Sequence, residues 1–337
     1  MRVIVNPRHA AHAAPHEVDN GLPVPPWETP GRVGAIRAAL EARGGFAFED
    51  AVPATEEDAA ALHHPAYVAY LRETSAELAR ARGATPKFAV PSVFPFGPNP
   101  RAMCTRAIRG AYCFDTFTPI TAGTFAAALG GVGAGLRAAE LVAGGERTVY
   151  ALTRPPGHHA EADRCGGYCF LNTAALAANR LAKLGPVAVL DLDVHHGNGA
   201  QHLFYDRADV LTVSVHGDPE YLFPYFSGFA DETGTGAGLG ANHNLVLPYG
   251  TGVQKYRPAL EAAVEIVARF RPAFLVVAFG ADAHEADPIG GFRLPTAFFG
   301  TMGTAVARLA VPTVVVQEGG YNLDVLGACV AEFLGAL

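Results

Sequence analysis

Residues 187–199 read VAVLDLDVHHGNG, and the fold class turns on that stretch. Val187 to Leu190 is apolar without alternation, the pattern of a strand buried on both faces of a parallel sheet. Polar residues follow at once, with no ordinary turn between. Asp191, Asp193 and His195 are spaced two apart, so at an extended strand end their side chains share one face. Two carboxylates and an imidazole on one side of a strand terminus suit a hard or borderline divalent metal.

Outward from this stretch, strand and helix patterns alternate. Strands are expected over 148–152, 187–190, 210–215, 273–279 and 313–316. Helices are expected over 172–183 and 199–204, from about 256 to 270 and from about 296 to 309. This alternation predicts an α/β fold with an open, mostly parallel sheet and helices on both faces. With 337 residues, no internal repeat and no linker, residues 1–337 read as one domain. Residues 6–30 form a long polar, Pro-rich segment whose histidines fit no rigid element, so Trp27 and Glu28 are placed on the rim of a site. Residues 83–121 combine many prolines with aromatic residues, and a segment of that length is expected to wall a pocket.

Half of the residues are apolar, 17% are charged and the formal charge is -7, with no basic block to neutralise phosphates. Nucleic acid is therefore not an expected partner. No uninterrupted apolar run approaches the roughly 20 residues needed to span a bilayer, so no membrane association is expected. The N-terminus lacks the apolar core of a signal peptide. Cys165 and Cys169 have a metal-like spacing but no second thiolate pair follows, and a cytoplasmic protein with reduced cysteines is expected.

Four polar clusters each follow an apolar strand: RPPGHHA (154–160), DLDVHHGNG (191–199), GADAHEADP (280–288) and QEGGYN (317–322). In an open parallel sheet, ligands bind at the carboxyl ends of the strands. Asp193 and His195 offer one carboxylate and one nitrogen to a metal. Asp282 is the best third ligand, with His284 a rival and Asp287 a weaker one, leaving positions open for water and substrate. Asp191 is placed to accept a hydrogen bond from a histidine or to help bind a monovalent cation, which Ser214 could join. His158 and His159 sit in a Pro-stiffened turn, either as ligands or as acid/base groups oriented by Asp191 and Asn198. Tyr321, after two glycines, can donate a hydrogen bond to an oxyanion. Gly167 and Tyr168 suggest one wall of a channel, and Phe223 and Phe226 the opposite wall. The chain has no GxGxxG after a strand, no Walker loop and no GxSxG.

In RPPGHHA, GGYCFLNTA, LDLDVHHGNGAQ, SVHGDP, GADAHEADP and QEGGYN, taken in order and spacing, the chain resembles the zinc-dependent histone-deacetylase-like amidohydrolases of the arginase–deacetylase superfamily. VPPWETP, the long insertion and HGDPEYLFPYFSG make it most similar to the acetylpolyamine amidohydrolases. The resemblance implies Asp193, His195 and Asp282 as ligands of Zn2+ (or Fe2+ or Co2+). It implies His158 and His159 as acid/base pair, backed by Asp191 and Asn198, and Tyr321 as the group polarising the amide carbonyl. His284 becomes a rim residue. A structural K+ maps onto Asp191, Asp193, His195, Ser214 and Val215, and a second monovalent site onto Phe204, Arg207 and Val210.

The implied reaction is hydrolysis of the N-acyl amide of a small amine by a cytoplasmic homodimer paired through the insertion. Aligned back from Gly123, the insertion puts Phe117 and Arg106 where the polyamine branch carries acids, with Asp115 and Glu28 in partial compensation. The expected substrate is therefore an acetylpolyamine or a neutral or aromatic N-acyl amine. A protein-lysine deacetylase and a non-catalytic metal-binding protein are the alternatives.

Overall fold

The computed structural model describes residues 1–81, 87–95 and 108–337. Its strands in chain order are β1 (Arg2–Val5), β2 (Glu17–Asp19), β3 (Leu22–Val24), β4 (Ala47–Asp50), β5 (Phe88–Ala89), β6 (Ile120–Thr121), β7 (Thr148–Leu152), β8 (Val187–Asp191), β9 (Val210–Gly217), β10 (Asn242–Leu247), β11 (Phe274–Phe279) and β12 (Thr313–Gln317). The α-helices are α1 (Gly31–Arg43), α2 (Glu56–Ala60), α3 (Pro65–Arg80), α4 (Thr124–Ala143), α5 (Thr173–Ala182), α6 (Asn198–Phe204), α7 (Val253–Phe270), α8 (Thr296–Ala307) and α9 (Leu323–Gly335).

Eight strands form one open sheet in the order β10-β9-β8-β11-β12-β7-β1-β4. Every pairing in it is parallel, as the unbroken apolar runs require. Side chains alternate between two buried layers. Ala188, Leu190, Leu275 and Val277 pack beneath α1, α7, α8 and α9, while Val187, Val189, Val276 and Ala278 face α4, α5 and α6. Each large apolar side chain buried there contributes about 1.5–3 kcal/mol relative to exposure. The edge strand β10 was not legible, because Asn242, His243 and Asn244 open it and an edge tolerates polar residues.

The strands β8, β11, β12 and β7 are consecutive neighbours in the sheet. The four polar clusters that follow them therefore leave the sheet side by side. Helix α4 is long and apolar enough to cross a membrane by length and composition, but Arg137 and Glu140 interrupt its apolar run and 67% of the stretch is buried inside the fold. Its glycines permit close contact with its neighbours: a Cβ on Gly130 would meet Asn6 Oδ1 at 2.0 Å, and one on Gly135 would meet Thr173 Cγ2 at 2.4 Å.

Within 6–30, expected to be irregular, β2 and β3 form an antiparallel hairpin. Asn20 and Gly21 at its tip both have positive φ, 47° and 79°. That geometry fits a two-residue type I′ turn, which Asn-Gly favours. The hairpin carries Glu17 and Asp19 to the edge of the site.

Candidate active site

Asp193, His195 and Asp282 converge beyond β8 and β11, with potential ligand atoms all within 4.8 Å of one another. His195 Nδ1 lies 3.2 Å from Asp193 Oδ1 and 3.3 Å from Asp282 Oδ2. Asp193 Oδ2 accepts the Gly319 N–H at 2.8 Å, and Asp282 Oδ1 accepts that of Val194 at 3.1 Å. Asp282 Oδ2 is buried with no hydrogen-bond partner. An orphaned carboxylate oxygen facing an imidazole nitrogen and a second carboxylate is a costly arrangement unless a cation completes it. Glycine is required beside the group, since a Cβ on Gly319 would meet Asp282 Oδ2 at 2.1 Å and one on Gly280 would meet Asp193 Oδ2 at 2.1 Å. Two carboxylates and one imidazole fit a divalent ion of the zinc type with positions left open.

The two histidines of the RPPGHHA turn lie beside this group, their ring centroids 4.0 Å apart. His158 Nδ1 is 2.9 Å from Asp191 Oδ2, and His159 Nδ1 is 2.8 Å from Asn198 Oδ1. Glu318 Oε2 fixes the turn by accepting the Gly157 and His158 N–H groups at 2.6 and 3.1 Å. Both imidazoles are buried, which disfavours their charged forms. For His158 that effect is outweighed by Asp191 and Asp193, and its pKa is pushed up to about 10. For His159 burial is reinforced by the neighbouring His158 and His195, and its pKa falls well below the ordinary value. A cation seated on Asp193 would take up that carboxylate's field, leaving Asp191 to hold the His158 proton. Paired groups pushed apart in this way suit one acid and one base.

Tyr321 lines the same cavity as His159 and His195. The EGGY turn that carries it is held by Arg32, which donates through Nε to Gly320 O at 2.7 Å and through Nη2 to Glu318 O. The Arg32 guanidinium also sits 4.9 Å from the Tyr321 ring centroid. Burial raises the Tyr321 phenol well above its ordinary pKa, so the hydroxyl remains a donor.

The cavity, of about 200 Å³, is also lined by Glu17, Asp19, Trp27, Phe117, Gly167, Tyr168, Phe223 and Tyr225. Phe223 stands edge-on to His159 at 4.8 Å and to Phe117 at 5.4 Å. Gly167 has φ +54°, and a Cβ there would meet His159 at 2.2 Å. The Glu17 carboxylate accepts from Trp27 N at 2.9 Å and from Tyr168 Oη at 3.1 Å. Its burial pushes its pKa up to about 7, against the lowering effect of those hydrogen bonds.

A family described as the histone deacetylase domain matches residues 26–337. The chain belongs to that family. Within the arginase–deacetylase superfamily it is closely related to the acetylpolyamine amidohydrolases. It is 40% identical to acetylpolyamine amidohydrolase of Mycoplana ramosa, over 99% of this chain and 98% of that protein. It is 39% identical to acetylpolyamine amidohydrolase 1 of Pseudomonas aeruginosa, over 97% and 96% of the two chains. The crystal structure of acetylpolyamine aminohydrolase from Burkholderia pseudomallei superimposes with a TM-score of 0.94 at 36% identity, covering 100% of this chain and 98% of the other. These relationships support enzymatic activity and a metal-dependent hydrolytic mechanism.

Several expected channel residues of this histone deacetylase family chain stand elsewhere. Glu28 is 4% exposed and pairs with Arg32 at 3.0 Å and Arg154 at 2.8 Å, so it braces the EGGY turn instead of lining the channel. His284 is 5% exposed, bonded to Thr296 Oγ1 at 3.0 Å and outside the cavity lining, so it is neither rim nor ligand. Asp287 accepts from Tyr321 N at 2.8 Å and serves the backbone there. Phe226 is 52% exposed and packs edge-on to Phe114 outside the cavity, where Tyr225 takes its expected place. Asp115 is buried, holding Gly167 N at 2.6 Å and Phe117 N at 3.1 Å, and stiffens the wall without facing the channel. Arg106 lies outside the described residues.

Of the residues expected around monovalent cations, Asp191 and Ser214 are register partners on β8 and β9. Val215 follows Ser214, but the Ser214 hydroxyl is already 2.8 Å from His216 Nδ1. Phe204, Arg207 and Val210 share the turn from α6 into β9, where Arg207 N donates to Phe204 O at 3.0 Å. Sequence reasoning missed the channel carboxylates Glu17 and Asp19, along with Tyr225 in the lining and Arg32 behind the EGGY turn. Asn20-Gly21, between two short extended stretches, was the signal that could have found the two carboxylates.

Proposed function

We propose that this chain hydrolyses the N-acyl amide, most simply the N-acetyl amide, of a small cationic amine. Residues 1–337 act as one catalytic domain. Of the insertion at about 83–121, residues 83–86 and 96–107 lie outside the described residues, while its described part brings Phe117 to the cavity. The proposed role of the insertion is to wall the site and pair two copies as a homodimer. What carries the reaction is the convergence of Asp193, His195 and Asp282 with two hydrogen-bonded histidines and Tyr321. Asp193, His195 and Asp282 would hold Zn2+, or Fe2+ or Co2+ in its place. Such an ion supplies Lewis acidity toward the carbonyl and a lowered pKa for water.

The protein groups do the rest. His159, with Nδ1 turned to Asn198, accepts the proton of the attacking water at Nε2. The Tyr321 hydroxyl donates to the oxygen of the tetrahedral intermediate, where charge develops. The departing nitrogen needs a proton at neutral pH, and the histidine pair delivers it, with Asp191 holding the charge on His158. A structural K+ near Asp191 and Ser214, and a cytoplasmic setting, complete the proposal. The four cysteines among the described residues, Cys113, Cys165, Cys169 and Cys329, are free and buried, which supports that setting.

The substrate class rests on Glu17. A carboxylate in the channel wall with Asp19 beside it, amid Trp27, Phe117 and Tyr225, suits an alkylammonium group. The sign of its pH dependence follows. Glu17 is neutral below about pH 7 and ionised above it, so an ammonium group gains its partner as pH rises. For N-acetylputrescine, KM is expected to fall between about pH 6 and about pH 8, while that of neutral N-butylacetamide stays level. Glu17→Gln is expected to remove the trend and raise the KM of the cation roughly tenfold, the effect of one partly screened charge pair. Preference for N-butylacetamide would move the substrate class to neutral amides, which Phe117 suits. Preference for an acetyl-lysine peptide would favour a protein deacetylase.

A further inference from the structure

We infer that Glu161 is a positioning residue for His159, acting through Asn198; this rests on the role proposed above for His159. Asn198 turns Oδ1 toward His159 Nδ1 at 2.8 Å. Its amide nitrogen donates to the His159 carbonyl at 3.2 Å and to Glu161 Oε1 at 3.0 Å. A primary amide has two N–H donors, and both are engaged. Oxygen is then the only group that Asn198 can offer the imidazole, so His159 must carry its proton on Nδ1. The unprotonated Nε2 is left for the substrate side. Turning the amide over would aim its oxygen at a carboxylate and a carbonyl, two acceptors with no proton between them.

Glu161 is itself fixed. Its Oε2 accepts from Arg164 Nη2 at 2.8 Å and lies 3.8 Å from His202 Nδ1. Its N–H donates to Arg164 O at 2.9 Å, and its own carbonyl lies 2.8 Å from His63 Nδ1. The side chain is 5% exposed and faces a separate hollow, away from the cavity that His159 and Tyr321 line. Glu161 therefore touches neither the metal-ligating group nor the channel. Its influence reaches the chemistry only by choosing which face of the Asn198 amide meets the imidazole, and so the tautomer of His159.

The direct test is the tautomer of His159, read from ¹⁵N shifts of the full-length, zinc-loaded protein labelled at histidine. The wild-type protein is expected to show Nδ1–H and a bare Nε2. Glu161→Ala is expected to give a mixture of tautomers and, with N-acetylputrescine or N-butylacetamide, a kcat about tenfold lower with KM within about twofold, the loss expected for one buried charge-assisted hydrogen bond. Glu161→Gln, whose side-chain oxygen can still accept from Asn198, is expected to restore both. Glu161→Met, which fills the space without an acceptor, replaces Glu161→Ala if the latter does not fold. In an Asn198→Ala background the loss from Glu161 substitution is expected to vanish, whereas a merely structural contribution would add. An unchanged tautomer in the acceptor-less variant, or full additivity with Asn198→Ala, overturns the inference. Full activity of His159→Ala would instead overturn the proposed role of His159, whatever the tautomer.

Discussion

Tyr321→Phe is expected to lower kcat by about 10²–10³-fold, the usual cost of removing one oxyanion donor. KM and metal content are expected to stay near those of the wild-type protein. The substitution removes a single hydroxyl. The ring keeps its place 5.5 Å from Tyr168 and 4.9 Å from the Arg32 guanidinium, and the backbone N–H still donates to Asp287. The loss is therefore chemical and not architectural. Two carboxylates beside one imidazole offset much of the charge of a divalent ion, which tempers its pull on the carbonyl and makes the Tyr321 donor more important. Steady-state kinetics beside metal analysis of the same samples check this. Turnover unchanged in Tyr321→Phe would remove the oxyanion role.

His159→Ala is expected to cost about 10²–10⁴-fold in kcat, the range for loss of a positioned general base. His159 donates to no residue of the Asp193, His195 and Asp282 group, so metal content should persist. The space left lies against Phe223, 4.8 Å away, and beside the Asn198 oxygen, which becomes an orphan. Free imidazole is expected to recover part of the turnover, because the cavity is open and the missing function is proton transfer. Recovery of rate by added imidazole, with metal content constant, is the measurement. A variant as fast as the wild-type protein would exclude His159 from the proton path.

Much of the site was legible because it sits on strands. β8 is buried on both faces, so its apolar run ends where the metal-suited residues begin, at Asp191. Parallel pairing then forces the clusters after β7, β8, β11 and β12 to one edge. Side chains on the loops were less legible, because their direction depends on partners far away in sequence. Trp27 reached the cavity as expected, but the next residue, Glu28, turned inward to Arg154. Nothing near Glu28 in the chain announces an arginine 126 positions later. His284 likewise looked like a ligand by its distance from Asp282, yet it turned to Thr296 at the start of α8. Glu17 was hidden for the opposite reason, since its signal was local. Asn20-Gly21 marked a hairpin inside a segment that its prolines and histidines made look irregular.

The most direct measurement is acetate release from N-acetylputrescine and N-butylacetamide by protein first stripped with a chelator and then reloaded with zinc, iron(II) or cobalt. The stripped protein is expected to be inactive, and activity is expected to return in proportion to metal bound, up to about one equivalent, the ion held by Asp193, His195 and Asp282. Stripped protein that works as well as reloaded protein, or reloaded protein inert toward both amides, would contradict a metal-dependent small-amide hydrolase.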